Sequence, residues 1–199
     1  MAKHREDTNR KLNAKKTKNV IYKATLDLIN EKGYENVSIS DITKRAECAT
    51  GTFYLHFKSK SDVMAYCVEQ YNQVAVEAYE IAKEKENFAD RVITFIVEDY
   101  KRTELLGKGA IRAIYATNIM QSYLVMNKSE RVVYNVLLEL FQYGIDTGAL
   151  HKDTDVVECT RSMGRSLMGV DLEWSCMEED IDIVSYATQA AKRILYGYI

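Results

Sequence analysis

The chain has 199 residues, no proline, 9 glycines, 47% hydrophobic and 28% charged residues, and a net charge of −2. This composition excludes collagen-like and Pro/Gly-rich disordered chains, and without proline nothing breaks a long helix by removing an N–H or clashing with the preceding turn. Charge is unevenly placed: residues 1–60 carry 13 Lys/Arg against 7 Asp/Glu and residues 61–199 carry 14 against 22, so a basic head points to a polyanionic partner, unless the excess is only a solubilising tail.

Residues 1–12 read as a flexible basic arm. From about Thr17 a helical period begins, with Val20, Ile21, Ala24, Leu28 and Ile29 at three- and four-residue steps. Gly33 marks its end, because glycine accepts positive φ. Ser38 and Asp41 form an S-x-x-D start signal for a short helix to about Ala46. A turn follows, then a second short helix over roughly Thr50–Phe57. Ser59 and Asp62 open a long helix from Lys60 to about Lys85, and Asn87 and Asp90 open the next, carrying Val92, Phe95, Ile96 and Tyr100. After Gly107 and Gly109, Ile111, Ile114, Tyr115 and Ile119 continue a helical stripe to about Met126. Asn127 and Glu130 precede a helix with Val133, Val136, Leu137 and Leu140, ending near Gly148. Asp153 and Asp155 open a helix ending in Trp174, and Asp180 opens the last, through Ile194. No segment alternates with period two. The expected fold is all-α, with about nine helices: an N-terminal three-helix helix-turn-helix domain over residues 1–60 and a larger helical ligand-binding and dimerisation domain over residues 61–199.

Three short helices within the first 60 residues suit a helix-turn-helix, whose last helix must show small and polar groups to DNA. On Thr50–Phe57, Phe53 and Phe57 share the buried side, and Gly51, Tyr54, Leu55 and Lys58 form the opposite stripe. Gly51 permits close backbone approach, and Tyr54 offers a hydroxyl to phosphate or a ring to a thymine methyl. His56 lies at the edge of the stripe. Plainer readings stand beside these: Tyr54 as a roof of the small domain, His56 as a solvated edge residue, Lys60 as an ordinary helix-start lysine.

The stretch Thr17–Val63, above all the run G-T-F-Y-L-H-F-K-S-K-S-D from Gly51 to Asp62, resembles the DNA-binding domain of the TetR family of regulators. The matching positions include Ile21, Ala24, Leu28, Gly33, Tyr34, Val37, Ile39, Ile42, Ala46 and Val63, and cover about a quarter of the chain. The resemblance implies DNA contacts from Tyr54 and His56, close approach at Thr50, Gly51 and Thr52, and a phosphate contact from Lys60. It also implies backbone contacts from Thr17, Ser38 and Ser40, with Lys15, Lys16 and Lys18 adding salt-sensitive attraction. Two positions depart from the family pattern. Glu47 stands where the turn usually has glycine, and a side chain there pays to enter the left-handed region. Ala49 replaces the usual capping serine, a loss of about 1 kcal/mol unless Thr50 shifts the helix start and caps instead.

For the larger domain the resemblance implies a homodimer, pairing the last two helices across a two-fold axis through Gly164, Met168 and Trp174 and through Ile183, Ala187, Ala190 and Ile194. That would set two heads about 34 Å apart over the major grooves of a palindromic operator. It further implies an effector cavity, with Tyr66, Tyr100, Tyr115, Asn118, Met120, Tyr123 and Met163 as candidate lining residues. The acidic balance favours a cationic or neutral aromatic effector over an anion. Binding would splay the heads by moving the long fourth helix and release DNA, making the chain a small-molecule-controlled repressor.

Cys48, Cys67, Cys159 and Cys176 form no C-x-x-C, and His4, His56 and His151 do not cluster with them, so no metal or cofactor is expected and the thiols read as reduced. A charged N-terminus without an apolar segment, and no apolar run near about 18 residues, lead us to expect a cytoplasmic protein away from the membrane. Phosphate-binding, zincin and dinucleotide motifs are absent. Gly164-Arg165-Ser166-Leu167-Met168-Gly169 is one residue too long for a nucleophile elbow and sits in a helix pattern. No enzyme is therefore expected. The alternative is a helical protein-interaction module that no longer binds DNA, a reading Glu47 supports.

Overall fold

The computed structural model describes residues 2–120 and 132–197, with side chains described for 12–117 and 132–197. Nine α-helices and no strand occur among the described residues: α1 Ala2–Lys32, α2 Ile39–Arg45, α3 Thr50–His56, α4 Lys60–Lys83, α5 Phe88–Leu106, α6 Lys108–Met120, α7 Val132–Asp146, α8 Val156–Cys176 and α9 Ile183–Leu195. The chain divides into two compact units, residues 1–67 and 68–199. The division falls inside α4, seven residues beyond the boundary read from the sequence.

In the first unit, α1 begins at Ala2 rather than after a flexible arm. The correction has a local cause. No glycine or proline precedes Gly33, and Ala, Lys, Arg and Glu in the first 16 residues are strong helix formers, so a helix nucleated by its packed C-terminal half propagates backward without a breaker. That packed half buries Ile21, Ala24, Leu28 and Ile29, whereas Val20 is 49% exposed and belongs to the outer face. Gly33 ends α1 with φ +81°, which glycine adopts at little cost. Ser38 caps α2 in a reciprocal box: its Oγ accepts from the Asp41 backbone N–H at 3.1 Å, and its own N–H donates to the Asp41 carboxylate at 2.9 Å. Ile42, Phe53, Phe57 and Val63 complete this small core.

In the second unit, α5 packs on α9 and α7, while α8 packs on α6, α7 and α9. The buried stripes of α5 (Val92, Phe95, Ile96, Tyr100) and α7 (Val136, Leu137, Leu140, Phe141) follow the three- and four-residue period. Asn87 caps α5 through the Asp90 N–H at 3.1 Å, and Asp155 caps α8 through the Val157 and Glu158 N–H groups. The last helix starts later than the sequence suggested. Asp182, not Asp180, accepts from the Ser185 N–H at 3.0 Å and from its hydroxyl at 2.7 Å. The expected cap at Asn127 and Glu130 lies outside the described residues. Arg91 donates to the Lys85 and Lys83 carbonyls at 2.7 and 2.9 Å, satisfying carbonyls that the end of α4 leaves open. Gly144 in α7 has no room for a side chain: a Cβ there would lie 2.8 Å from Leu150 Cδ1 and 2.9 Å from Phe88 Cδ2.

Lys108 Nζ donates to the carbonyls of Met177 at 3.0 Å and Glu179 at 2.5 Å, and Arg112 Nε donates to the Ser175 carbonyl at 3.1 Å. Two cations of α6 thus hold the C-terminal end of α8 and the residues just past it, where unpaired carbonyls carry partial negative charge.

Candidate nucleic-acid interface and ligand cavity

The turn between α2 and α3 resolves the first departure. Glu47 adopts φ +50°, the only positive φ outside glycine among the described residues. The Cys48 N–H donates to the Thr43 carbonyl at 3.0 Å and the Glu47 N–H to the Lys44 carbonyl at 3.3 Å. These two bonds are a Schellman C-cap, with glutamate where glycine is preferred. The turn therefore closes around Glu47, at a backbone cost. The second departure stands as a lost cap. Ala49 is the N-cap of α3 and supplies no side-chain acceptor, and Thr50 takes the first helical position instead of shifting the start to cap it.

On α3, Phe53 and Phe57 point inward, while Tyr54 is 55% and Leu55 82% exposed. Thr50, Gly51 and Lys58 are exposed, and Thr52, His56 and Lys60 half-buried. A Cβ at Gly51 would meet nothing within 4 Å, so packing inside the protein does not require glycine there. Phe53 meets the Tyr54 ring edge-on, with centroids 5.5 Å apart, which steadies Tyr54 while leaving most of it outward.

Other candidate contact residues already have partners. Lys60 Nζ donates to the Tyr34 carbonyl at 2.7 Å and lies over the Tyr34 ring. Ser38 Oγ donates to Asp41 at 2.6 Å, and Thr17 donates to the Asn13 carbonyl at 3.1 Å. Ser40 is exposed. Lys18 stacks its ammonium on Tyr66 and Phe57, leaving Lys15 and Lys16 outward.

The second unit contains a cavity with about 70 Å³ of room for the centre of a water-sized sphere. At roughly 10–15 Å³ per water centre, it has room for about five to seven such positions. Of the candidate effector residues, Tyr100 and Tyr115 line it. Met163 is fully buried but not in its wall, and Tyr66 belongs to the first unit, where its hydroxyl donates to Asn19 at 3.1 Å. Tyr123 and the side chains of Asn118 and Met120 lie outside the described residues. Gly164, expected at a dimer interface, is in the cavity wall. Trp174, Ile183 and Ala187 are buried within the unit, whereas Met168, Ala190 and Ile194 are half-exposed.

The wall also holds polar residues that sequence reading missed: Asp99, Asp171, Thr160, Tyr71 and Tyr134. Tyr71 donates to Asp99 Oδ2 and Tyr115 to Asp171 Oδ2, both at 2.7 Å, while Tyr100 donates to the Leu167 carbonyl at 3.0 Å. Burial pushes the Asp99 carboxyl up to about 7, with repulsion from Asp171 adding to it against the Tyr71 hydrogen bond. Burial likewise raises Asp171 to about 6, opposed by its tyrosine partners. A signal for Asp99 was present. It falls three residues after Ile96 and four after Phe95, on the buried stripe of α5.

Among the described residues no group of three His, Cys, Asp or Glu is arranged to hold a metal, and no helix is long and apolar enough to cross a membrane.

Residues 21–67 match the family described as bacterial regulatory proteins, tetR family. The fatty acid metabolism regulator protein of Bacillus subtilis is 24% identical over 182 residues, spanning 89% of this chain and 93% of that protein. Two solved structures share the fold. The fatty acid degradation regulator FadR of Bacillus halodurans has a TM-score of 0.70 at 20% identity, over 91% of this chain and 95% of that one. FadR of Bacillus subtilis in complex with stearoyl-CoA has a TM-score of 0.68 at 21% identity, over 90% and 98%. Residues 21–67, which contain α3, are thus a tetR-family segment, and the chain as a whole shares the fold of these two regulators.

Proposed function

We propose that this chain is a repressor that binds a palindromic operator as a homodimer and leaves it when a small molecule occupies the cavity of the second unit. The observation that carries the DNA half is the outer face of α3, where Tyr54 and Leu55 stand exposed beside the uncrowded Gly51. Apolar and aromatic side chains left outward on a seven-residue helix suit contact with base edges and thymine methyls. The Schellman turn weakens the interaction-module reading, because Glu47 leaves the helix-turn-helix closed. The half-exposed Met168, Ala190 and Ile194 on the last two helices support a face for a second copy. Met168 and Ile194 supply apolar area, and Ala190 lets helices approach closely.

Release follows from linkage. A ligand shifts the protein toward the conformer it binds better, and lowers DNA affinity only by its preference for the conformer that fits DNA poorly. Such a regulator works where the chromosome is, which places it in the cytoplasm. The test is fluorescence anisotropy with duplex DNA from the chain's own upstream region. Steeply salt-dependent binding of a dimer, lost in Tyr54→Ala without loss of helicity, is the expected result. A monomer by sedimentation, or Tyr54→Ala binding equal to the unaltered protein, overturns the reading.

A further inference from the structure

Asp99 of α5, Asp171 and Thr160 of α8 line one cavity, and each is left with an unanswered polar atom. Asp99 Oδ1, Asp171 Oδ1 and Thr160 Oγ1 are buried and have no hydrogen-bond partner among the described residues. Asp99 and Thr160 are almost wholly shielded as residues, and the Oδ1 of Asp171 is shielded although that residue is not. An unpaired buried carboxylate oxygen costs free energy unless a donor or a cation meets it, so a folded chain that keeps two of them in one cavity invites a guest that supplies both. No Lys, Arg or His is among the described residues lining the cavity. The titratable groups facing the pair are each other and Tyr71, Tyr100, Tyr115 and Tyr134, from α4, α5, α6 and α7, and none of them is a cation.

We propose that the effector is a compact organic cation bearing N–H donors, a protonated amine or amidine on an aromatic body, whose nitrogen is received by Asp99 and Asp171. The inference rests on the cavity being the effector site of the regulator proposed above. The donor requirement comes from the three unsatisfied atoms, two of which are obligate acceptors when ionised. The positive charge comes from the paired carboxylates. The aromatic body comes from the tyrosines of the wall, whose ring faces attract cations and stack on flat groups, and the compactness comes from the cavity's room. Tyr71 and Tyr115 occupy the other carboxylate oxygens and hold both groups in place for the guest.

Empty, the pair retains protons near neutrality, since burial raises both carboxyls to about 7 and about 6. A cation favours the ionised forms, so binding expels protons to solvent and tightens as pH rises from 5.5 toward 8. An acyl-CoA thioester, the ligand class in the Bacillus subtilis FadR complex, brings anionic phosphates and no cation, and would leave the two carboxylates unanswered.

The experiment is isothermal titration of the full-length dimer with phenethylamine, tryptamine and benzamidine, in two buffers of different ionisation enthalpy, beside phenethyl alcohol, phenylacetate and octanoyl-CoA. Expected results are binding of the amines and amidine with proton release, and an affinity loss of about tenfold or more in Asp99→Asn and Asp171→Asn, the usual scale for a hydrogen bond to a charged group. Both variants keep an oxygen for Tyr71 or Tyr115, so they fold, which Trp174 fluorescence checks. Millimolar amine or amidine that produces no heat, binding no tighter than phenethyl alcohol, tighter binding of octanoyl-CoA, or unchanged affinity in the double variant overturns the proposal. Operator binding measured on the same preparations separates the two claims. DNA binding without amine binding sinks only the cation; amine binding without DNA binding sinks only the repressor.

Discussion

Replacing Glu47 with glycine should stabilise the head. At φ +50° a residue with a Cβ pays about 1–2 kcal/mol against the ordinary right-handed region. Glycine removes that strain but gives the unfolded chain extra freedom, returning about 0.4–1 kcal/mol. The two Schellman bonds, Cys48 N–H to Thr43 and Glu47 N–H to Lys44, use backbone atoms alone and survive the change. The net gain is therefore about 0.5–1 kcal/mol, a two- to fivefold rise in protection of buried amides. The assay is amide hydrogen exchange by NMR at Ile42 and Phe53, because the single tryptophan, Trp174, lies in the other unit and does not report the head. Glu47→Ala is the control. It removes the same charge but keeps the Cβ, so it should gain nothing in protection while matching the glycine variant in any change of DNA affinity. Equal protection in both variants, or a loss in Glu47→Gly, would refute the claim that backbone strain sits at this turn.

Gly51→Ala should leave the head as stable as before, or more so by up to about 1 kcal/mol from helix propensity, because its Cβ meets nothing within 4 Å. Its operator affinity should nevertheless fall in anisotropy titrations if, as proposed, this face of α3 is the one that approaches DNA. Gly144→Ala should destabilise the second unit by about 1–2 kcal/mol in urea unfolding followed at Trp174: overpacking against Leu150 and Phe88 costs about 1–3 kcal/mol, and helix propensity returns part of it. The ligand-free protein should lose stability as pH rises from about 4 through about 7. The unfolded Asp99 ionises first, while the folded one holds its proton until its raised value is passed. Asp99→Asn should flatten that slope, and an unchanged slope would mean that Asp99 is not the group responsible.

Much of the fold was legible because it rests on local rules. Ser38–Asp41 and Asn87–Asp90 mark helix starts by satisfying N–H groups that no helix can satisfy itself, and Gly33 marks a stop. The outward face of α3 was legible for the same reason, since Phe53 and Phe57 fix which side is inward. The start of α1 was not, because positive charge suggested an arm where nothing actually interrupts the helix. The cavity was read only in part. Tyr100 and Tyr115 drew attention as large side chains, whereas Asp99 was passed over despite its place on the buried stripe of α5, and Asp171 was not singled out. Separating a buried carboxylate from an exposed one depends on what packs above it, and for Asp171 that includes Tyr115, 56 residues away. The half-buried Met168 and Ile194 differ from the buried Ile183 and Ala187 by their place on the circumference, which apolar character alone does not settle.

The grip of Lys108 and Arg112 on the end of α8 bears on how a signal could leave the cavity. Tyr115 lies on the same helix as those two cations, and Asp171 one turn before Ser175, whose carbonyl Arg112 holds. Whatever pulls on Asp171 thus meets two members riveted at one end and cross-tied at the wall. Tied in this way, α6 and α8 would turn together about that corner rather than slide past one another.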